Sequence, residues 1–282
     1  MAHDRTAHPT LRRTSSRTAG RTPRRSLTRP LVAGGAALAL LTTLGTTDVL
    51  ASVIVGSPGD DVTFGQDRDN AGNPLIQPPG VAVPQHLSNT DVVFGRLGDD
   101  LVTGRAGRDV LIGGEGDDVL VGGPDQAGGP GSDVALGDEG DDVAVWGTGD
   151  GSETFVGDEG VDTLVVGRLV RGPSGGLQLA EHRGRKVPRA ALHDPSQRCA
   201  LTPVPAAQDV GEQYLVRVLA DGRLSATIRV RDVERLVCSS SRAGWARVAD
   251  LSAPGATFRE VPLDRLGGVT GAIVAERGSA AG

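Results

Sequence analysis

The chain has 282 residues and a net charge of −6, with 42 glycines and an aromatic fraction of only 2%. So few rings argue against a conventional core of large aromatic side chains, and an apolar fraction of 38% rich in Val and Leu argues against disorder. The length suits one large domain or two modest ones.

Residues 1–51 are predicted to form a signal peptide. An Arg-rich stretch leads into an apolar run at residues 31–44, and Val49-Leu50-Ala51 offers a cleavage site before Ser52. The run is shorter than the roughly 20 residues of a membrane span, so no span is expected after cleavage. The segment RRSLTR at 24–29 resembles a twin-arginine motif but has Thr28 at a usually apolar position. Both the general secretory and the twin-arginine routes therefore stay open.

Charge divides the chain into three parts, with nets of +6 for residues 1–51, −18 for 52–167 and +6 for 168–282. Negative charge at that density repels itself unless a cation binds. Residues 52–90 form a lead-in with one isolated unit, GSPGDDVTF from Gly56, and a Pro-rich stretch. Residues 67–72 resemble the first positions of an EF-hand calcium loop. The resemblance does not hold for the whole loop, because Pro78 stands where a bidentate Glu is needed.

Residues 91–167 contain a nine-residue repeat. The units read GRLGDDLVT, GRAGRDVLI, GGEGDDVLV, GGPGSDVAL, GDEGDDVAV and GDEGVDTLV, starting from Gly95. Each has glycine first and fourth, aspartate sixth and an apolar residue eighth. A six-residue insertion, 122–127, follows the third unit, and an irregular unit at 146–156 carries Glu153 in the acidic position.

These units resemble the hemolysin-type, or RTX, nonapeptide repeat, and that resemblance implies an all-β fold, a parallel β-roll that binds Ca²⁺. The residue types agree with it: short Val/Leu runs favour strands, glycines permit turns of positive φ, and the turns offer the oxygen ligands that Ca²⁺ takes. No His or Cys occurs among the units, which argues against zinc or copper. The candidate metal-site residues are Asp100, Asp109, Asp118, Asp133, Asp142, Glu153 and Asp162, with the turn glycines Gly98, Gly107, Gly116, Gly131, Gly140 and Gly160.

If successive turns lie on opposite edges of a flattened coil, the acidic residues form two columns. One column would hold Asp100, Asp118, Asp142 and Asp162, and the other Asp109, Asp133 and Glu153, with the insertion on that second edge. Ions between adjacent carboxylates would then number about five, three on the first edge and two on the second. Arg96 and Arg105 replace the second glycine of their units, Arg108 adjoins Asp109, and Val161 replaces a polar residue, so the first and last turns are expected to bind more weakly. Ala135 and Ala144 predict a thinly packed middle.

Residues 168–282 are predicted to be a β-rich cap or small domain. Residues 214–219 and 223–230, joined by Asp221-Gly222, predict a hairpin, with Leu224, Ala226, Ile228 and Val230 on its buried face. Cys199 and Cys238 predict a disulfide in an exported chain. The basic residues here (Arg183, Arg185, Lys186, Arg189) indicate a solvated face, a complement to the acidic roll or a site for anionic cell-wall polymer.

Together these features predict a secreted calcium-binding protein with a structural or interaction role, adhesion included, partnered by Ca²⁺ and another extracellular protein or polymer. Nucleic acid is not an expected partner, because one Tyr and two Trp leave few stacking platforms. The alternative is a secreted hydrolase with its site in residues 168–282, around His182, His193 or Ser174. HExxH is absent, and the GPSGG at 172–176 lacks the strand–turn–helix context of a nucleophile elbow.

Overall fold

The computed structural model describes residues 52–64, 91–105, 107–123, 132–205, 211–252 and 255–274, without the side chains of 52, 53 and 64. Two long sheets dominate it. Sheet A has the order β1 (Ser52–Val55), β3 (Asp91–Leu97), β5 (Val110–Glu115), β7 (Val134–Glu139), β9 (Thr154–Glu159), β16 (Arg223–Arg231), β15 (Tyr214–Ala220) and β14 (Gln197–Pro203). Sheet B has the order β2 (Val62–Phe64), β4 (Leu101–Thr103), β6 (Val119–Val121), β8 (Val143–Gly147), β10 (Thr163–Leu169), β17 (Arg235–Ser239), β18 (Trp245–Asp250) and β19 (Arg259–Pro262).

The repeats wind as a parallel β-roll, which confirms the predicted fold class. Successive strands alternate between the two sheets, and each strand pairs in parallel with the strand two positions along the chain. The middle residue of each short strand points inward, because side chains alternate along a strand. The inward positions form one buried cluster that includes Val93, Leu111, Ala135 and Phe155 from sheet A and Val102, Leu120, Ala144 and Leu164 from sheet B.

The middle of the roll has small inward side chains, as predicted at Ala135 and Ala144, but large neighbours lie beside them. Phe155 pairs in register with Ala135, and Trp146 lies in the same buried cluster, 1% exposed. Thin packing was predicted from the small side chains at two single positions. Packing density also depends on the side chains of the neighbouring strands, which fill the space here.

Sheet B is buried on its outer face as well, which explains why β6 reads Val-Leu-Val and β8 begins Val-Ala-Val without a polar residue. A second cluster joins Val119, Val121 and Val143 of this face to residues that follow the roll. The cover comprises the hairpin β11 (Leu179–His182) and β12 (Arg185–Pro188), the short β13 (Ala190–Ala191) and the helix α1 (Gly268–Val274), which contribute Val187, Ala190, Ile273 and Val274.

The two sheets continue into the C-terminal region. Strand β16 pairs in parallel with β9, and β17 pairs in parallel with β10. The predicted hairpin is confirmed as β15 and β16 around Asp221-Gly222, both with positive φ. Its predicted buried face is wrong at Leu224, which is 61% exposed, because a bulge next to Val218 shifts the register at this end.

The predicted disulfide between Cys199 and Cys238 is confirmed and joins β14 of sheet A to β17 of sheet B. Both cysteines are buried in the inner cluster, so the bond crosses the interior between the two sheets. No helix among the described residues is long and apolar enough to cross a membrane.

Candidate metal centre

The turns that lead from sheet A to sheet B lie on one edge of the roll, called here the A-to-B edge: residues 56–61, 95–100, 113–118, 137–142 and 157–162. Their fourth residues Gly98, Gly116, Gly140 and Gly160 all have positive φ. A Cβ at Gly116 would overlap the carbonyl oxygen of Gly98, and one at Gly140 would overlap that of Gly116. Glycine is therefore needed for both the turn and the close stacking of turns.

The sixth residues of these turns form an unbroken hydrogen-bonded column. The backbone N–H of Asp100 donates to Oδ1 of Asp118 at 2.7 Å, that of Asp118 to Asp142 at 2.7 Å, and that of Asp142 to Asp162 at 2.9 Å. The structure thus places the four aspartates of the first predicted column together. It also adds Asp61 of the isolated unit, whose N–H donates to Oδ1 of Asp100 at 2.6 Å.

The second carboxylate oxygen of each repeat aspartate in this column is buried without a hydrogen-bond partner among the described residues: Oδ2 of Asp100, Asp118, Asp142 and Asp162. Burial, followed by the charge of neighbouring carboxylates, raises the pKa of Asp118 to about 9 and that of Asp142 to about 8, even though backbone hydrogen bonds oppose the shift. The same causes raise the pKa of Asp162 to about 7 and that of Asp100 to about 6. Four buried acceptors of this kind need a cation or a proton.

The fifth residues of the same turns form another column on this edge, called here the outer column, which was not predicted from the sequence. The N–H of Asp117 donates to Oδ1 of Asp99 at 3.0 Å, that of Asp141 to Asp117 at 3.0 Å, and that of Val161 to Asp141 at 2.9 Å. Val161 keeps its backbone donor in the column, so the substitution removes only a carboxylate. The repeated Asp-Asp pair in the units was the available signal.

One basic residue of the C-terminal region reaches this outer column. The Arg185 guanidinium pairs with Asp99 Oδ2 at 3.1 Å and donates to the carbonyl oxygen of Asp117, with only 8% of its side chain exposed. Arg185 therefore complements the acidic roll, which was one of the interpretations left open. Lys186 instead pairs with Glu181 on the surface at 3.1 Å.

The turns that lead from sheet B back to sheet A form the opposite B-to-A edge. The N–H of Asp91 donates to Oδ1 of Asp109 at 2.8 Å, and that of Asp109 to Oδ1 of Asp133 at 2.7 Å. Glu153 follows Asp133 in the stack, because Thr154 N–H donates to the Asp133 carbonyl. The structure thus brings together the predicted column of Asp109, Asp133 and Glu153, and Asp91 extends that column by one residue.

The glycines of the B-to-A edge are described only in part. Gly107 has positive φ, while Gly131 lies outside the described residues. The turn that contains the insertion joins β6 to β7 and so belongs to this edge, as predicted. Arg105 holds a positive φ of 74° at the second-glycine position.

The first predicted column does not end at Asp162, the last of its four predicted residues. The N–H of Asp162 donates to Oε2 of Glu234 at 2.8 Å, so a residue 72 positions away continues the column. The two columns therefore hold more adjacent carboxylate pairs than the five that the sequence analysis counted, because Asp61, Asp91 and Glu234 extend them. The number of bound ions stays a prediction.

The residues of the A-to-B edge fit a hard cation. No group of three or more His, Cys, Asp or Glu side chains converges on one point within the described ranges. A cation held here would therefore take backbone carbonyl oxygens beside the aspartate carboxylates. Ca²⁺ accepts such mixed oxygen ligands with flexible geometry.

The comparison with protein families agrees with this geometry. Residues 88–126 and 127–144 match the family model of the RTX calcium-binding nonapeptide repeat, with four copies. This part of the chain therefore consists of RTX calcium-binding nonapeptide repeats. No curated protein matches it significantly. The matched residues end before β9 and β10, so the last turn and everything after it lie outside the match.

Proposed function

We propose that this protein is secreted, that its roll folds on binding Ca²⁺ outside the cell, and that its role is structural or one of interaction, adhesion included. The observation that carries the proposal is the A-to-B column, with four buried Oδ2 atoms that lack hydrogen-bond partners among the described residues. Without a cation these carboxylates oppose folding through burial and mutual repulsion. With Ca²⁺ between them the same charges hold successive turns together.

Calcium supplies enough free energy to decide folding. Extracellular calcium sites have Kd values of about 10⁻⁴–10⁻³ M. At a tenfold excess of Ca²⁺ over Kd each site stabilises the folded state by about 1.4 kcal/mol. Five sites then contribute about 7 kcal/mol, comparable with the whole stability of an ordinary domain, about 5–15 kcal/mol.

Export is supported by three features. Residues 1–51 have the pattern of a signal peptide, and the Cys199–Cys238 disulfide suits an oxidising compartment. The described residues contain no candidate transmembrane helix. A chain that folds only in millimolar Ca²⁺ would also stay unfolded until it leaves the cell, which favours the general secretory route.

A non-enzymatic role is part of the proposal. Ser174 lies in an exposed turn, and the cleft beside it is lined by Thr103, Arg105, Arg171 and apolar or glycine residues. Neither a histidine nor a carboxylate is among the described residues that line this cleft, so a base that would activate Ser174 is not found there. Ester, peptide and glycan substrates assayed with the purified protein test this: turnover abolished by Ser174→Ala would favour the hydrolase alternative.

Circular dichroism tests the calcium proposal directly. The chain from Ser52 should show little β-structure in EDTA and gain it in millimolar Ca²⁺, while Mg²⁺ at the same concentration should be far less effective because it prefers a smaller, rigid octahedral site. An identical β-sheet spectrum in EDTA and in Ca²⁺ would refute calcium-dependent folding.

A further inference from the structure

The segment 232–235 follows the β15–β16 hairpin and leads into β17 of sheet B, as a turn of the roll leads into its strand. In each repeat turn the sixth-position aspartate lies over the first glycine, next to the carbonyl oxygen of the following turn's first glycine. A Cβ built on Gly137 would lie against Asp142 and 2.8 Å from the Gly157 carbonyl oxygen. At Gly157 the corresponding atoms are the Asp162 carboxylate and the carbonyl oxygen of Asp232. Asp232 thus takes the place of the next first glycine.

The hydrogen bonds around this segment repeat those of a calcium-binding turn. Asp162 N–H donates to Glu234 Oε2 at 2.8 Å, as Asp142 N–H donates to Asp162 Oδ1 at 2.9 Å. Arg235 N–H donates to the Asp162 carbonyl at 2.9 Å, as Thr163 N–H donates to the Asp142 carbonyl at 2.8 Å. The segment is three residues shorter than a repeat turn, but Glu234 directly precedes Arg235, the register partner of Thr163, just as Asp162 directly precedes Thr163.

We propose that Asp162, the Asp232 carbonyl and Glu234 form a further divalent-cation site that closes the A-to-B column. This inference rests on the proposed calcium function and extends it to residues outside the repeats. The independent observation is Asp162 itself: the residue is 0% exposed, and its Oδ2 has no hydrogen-bond partner among the described residues. That oxygen lies over Gly157, on the side where the Asp232 carbonyl approaches.

The site would couple calcium binding to folding beyond the roll. Glu234 precedes β17, which pairs in parallel with β10 and carries Cys238. A cation between Asp162 and Glu234 would join two segments that are 72 residues apart, so the C-terminal strands would become ordered in the same calcium range as the repeats.

Glu234→Gln in the full chain tests the proposal by isothermal titration calorimetry with Ca²⁺. Glutamine keeps an amide oxygen that accepts the hydrogen bond from the Asp162 N–H, so this hydrogen bond is retained while the charged ligand is lost. We expect one ion fewer per chain, or one site at least tenfold weaker, with the calcium-induced β-sheet spectrum retained. Glu181→Gln is the matched control, since it removes one surface charge of the same region and should bind as the wild type does.

A Glu234→Gln chain that binds as many ions as the wild type, with unchanged affinities, would overturn the proposed site. Glu234 would then only accept the hydrogen bond from the Asp162 N–H. A wild-type chain that binds no Ca²⁺ would instead overturn the proposed function. If Glu234→Gln fails to fold, hydrogen exchange of the wild type decides: the amides of β17 must gain protection over the same Ca²⁺ range as the repeats. Equal protection of β17 in EDTA and in Ca²⁺ would overturn the proposal.

Discussion

The two edges of the roll are built from the same repeat but differ in regularity and charge. Every A-to-B turn runs from glycine to aspartate in six residues, and its column is continuous from Asp61 to Glu234. The B-to-A turns vary in length, include the insertion at 122–127, and carry Arg105 and Arg108. Acidic residues in the third, fifth and sixth positions are concentrated on the A-to-B edge.

This difference shows how a solenoid can accept variation and still bind a row of ions. Ions between turns require each turn to lie in register with the next, so one altered turn disturbs two sites. Insertions and cations on the other edge leave that register intact, because the strands between the edges are fixed by their own pairing. We therefore expect the A-to-B edge to dominate calcium binding, and the following changes test that comparison.

The largest effect is expected for a methyl group in an A-to-B turn. Gly116→Ala places a Cβ on a residue with φ of 135° and against the Gly98 carbonyl, which should cost about 4 kcal/mol from strain and overlap together. Gly149→Ala on the B-to-A edge is the control: its φ is 105°, but no atom lies within 4 Å of the added Cβ, so about 1 kcal/mol is expected. Thermal unfolding in Ca²⁺ measures both, and equal losses would contradict the requirement for glycine where successive turns stack closely.

The disulfide should affect stability without affecting the ions of either edge. Replacing Cys199 and Cys238 by Ser opens a loop with a sequence separation of 39 residues, which should cost about 4 kcal/mol in the chain-entropy model. Urea unfolding in saturating Ca²⁺ gives the loss of stability, and calorimetry gives the number of ions. A loss of ions in the folded double variant would show that the edges depend on this bond.

Aspartates at matched positions should separate the two edges directly. Asp118→Ala faces two column neighbours, Asp100 and Asp142, and should weaken two sites, about 3 kcal/mol at tenfold calcium excess. Asp133→Ala also lies inside a column, but Arg105 and Arg108 already supply positive charge on that edge, so a smaller loss is expected. Calcium titration by calorimetry compares them, and an equal or greater loss for Asp133→Ala would reverse the assignment of the edges.

A change of pH should act on the same carboxylates, because a proton can supply one positive charge where Ca²⁺ supplies two. Without calcium the folded-state pKa values of Asp118 and Asp142 lie above the ordinary value, so the folded chain holds protons that the unfolded chain releases. Stability in EDTA should therefore fall as pH rises from about 4 through about 8–9, and the β-sheet signal should be stronger at pH 5 than at pH 8. In saturating Ca²⁺ the order should reverse, because protons compete with the cation.

Much of the site followed from local pattern. The period of nine, the glycines and the aspartates predicted the roll, the alternation of edges and both columns, because these depend on residues close in sequence. Asp91 could have been predicted in the same way, because it stands 18 residues before Asp109, the spacing of Asp100 and Asp118. The extensions at Asp61 and Glu234 could not, because neither residue keeps the repeat spacing to its column neighbour. Only the pairing of β1 with β3 and of β17 with β10 brings them into register.

The sequence alone determined the repeat, its turn conformations, its ligand chemistry and the disulfide partners, since a short period and two cysteines leave few alternatives. The tertiary structure decided the rest. It placed Arg185 beside Asp99, covered the outer face of sheet B with β11, β12 and α1, and joined Glu234 to Asp162. Contacts of this kind depend on how distant segments pack around a common core, and no local pattern of charge or hydrophobicity records them.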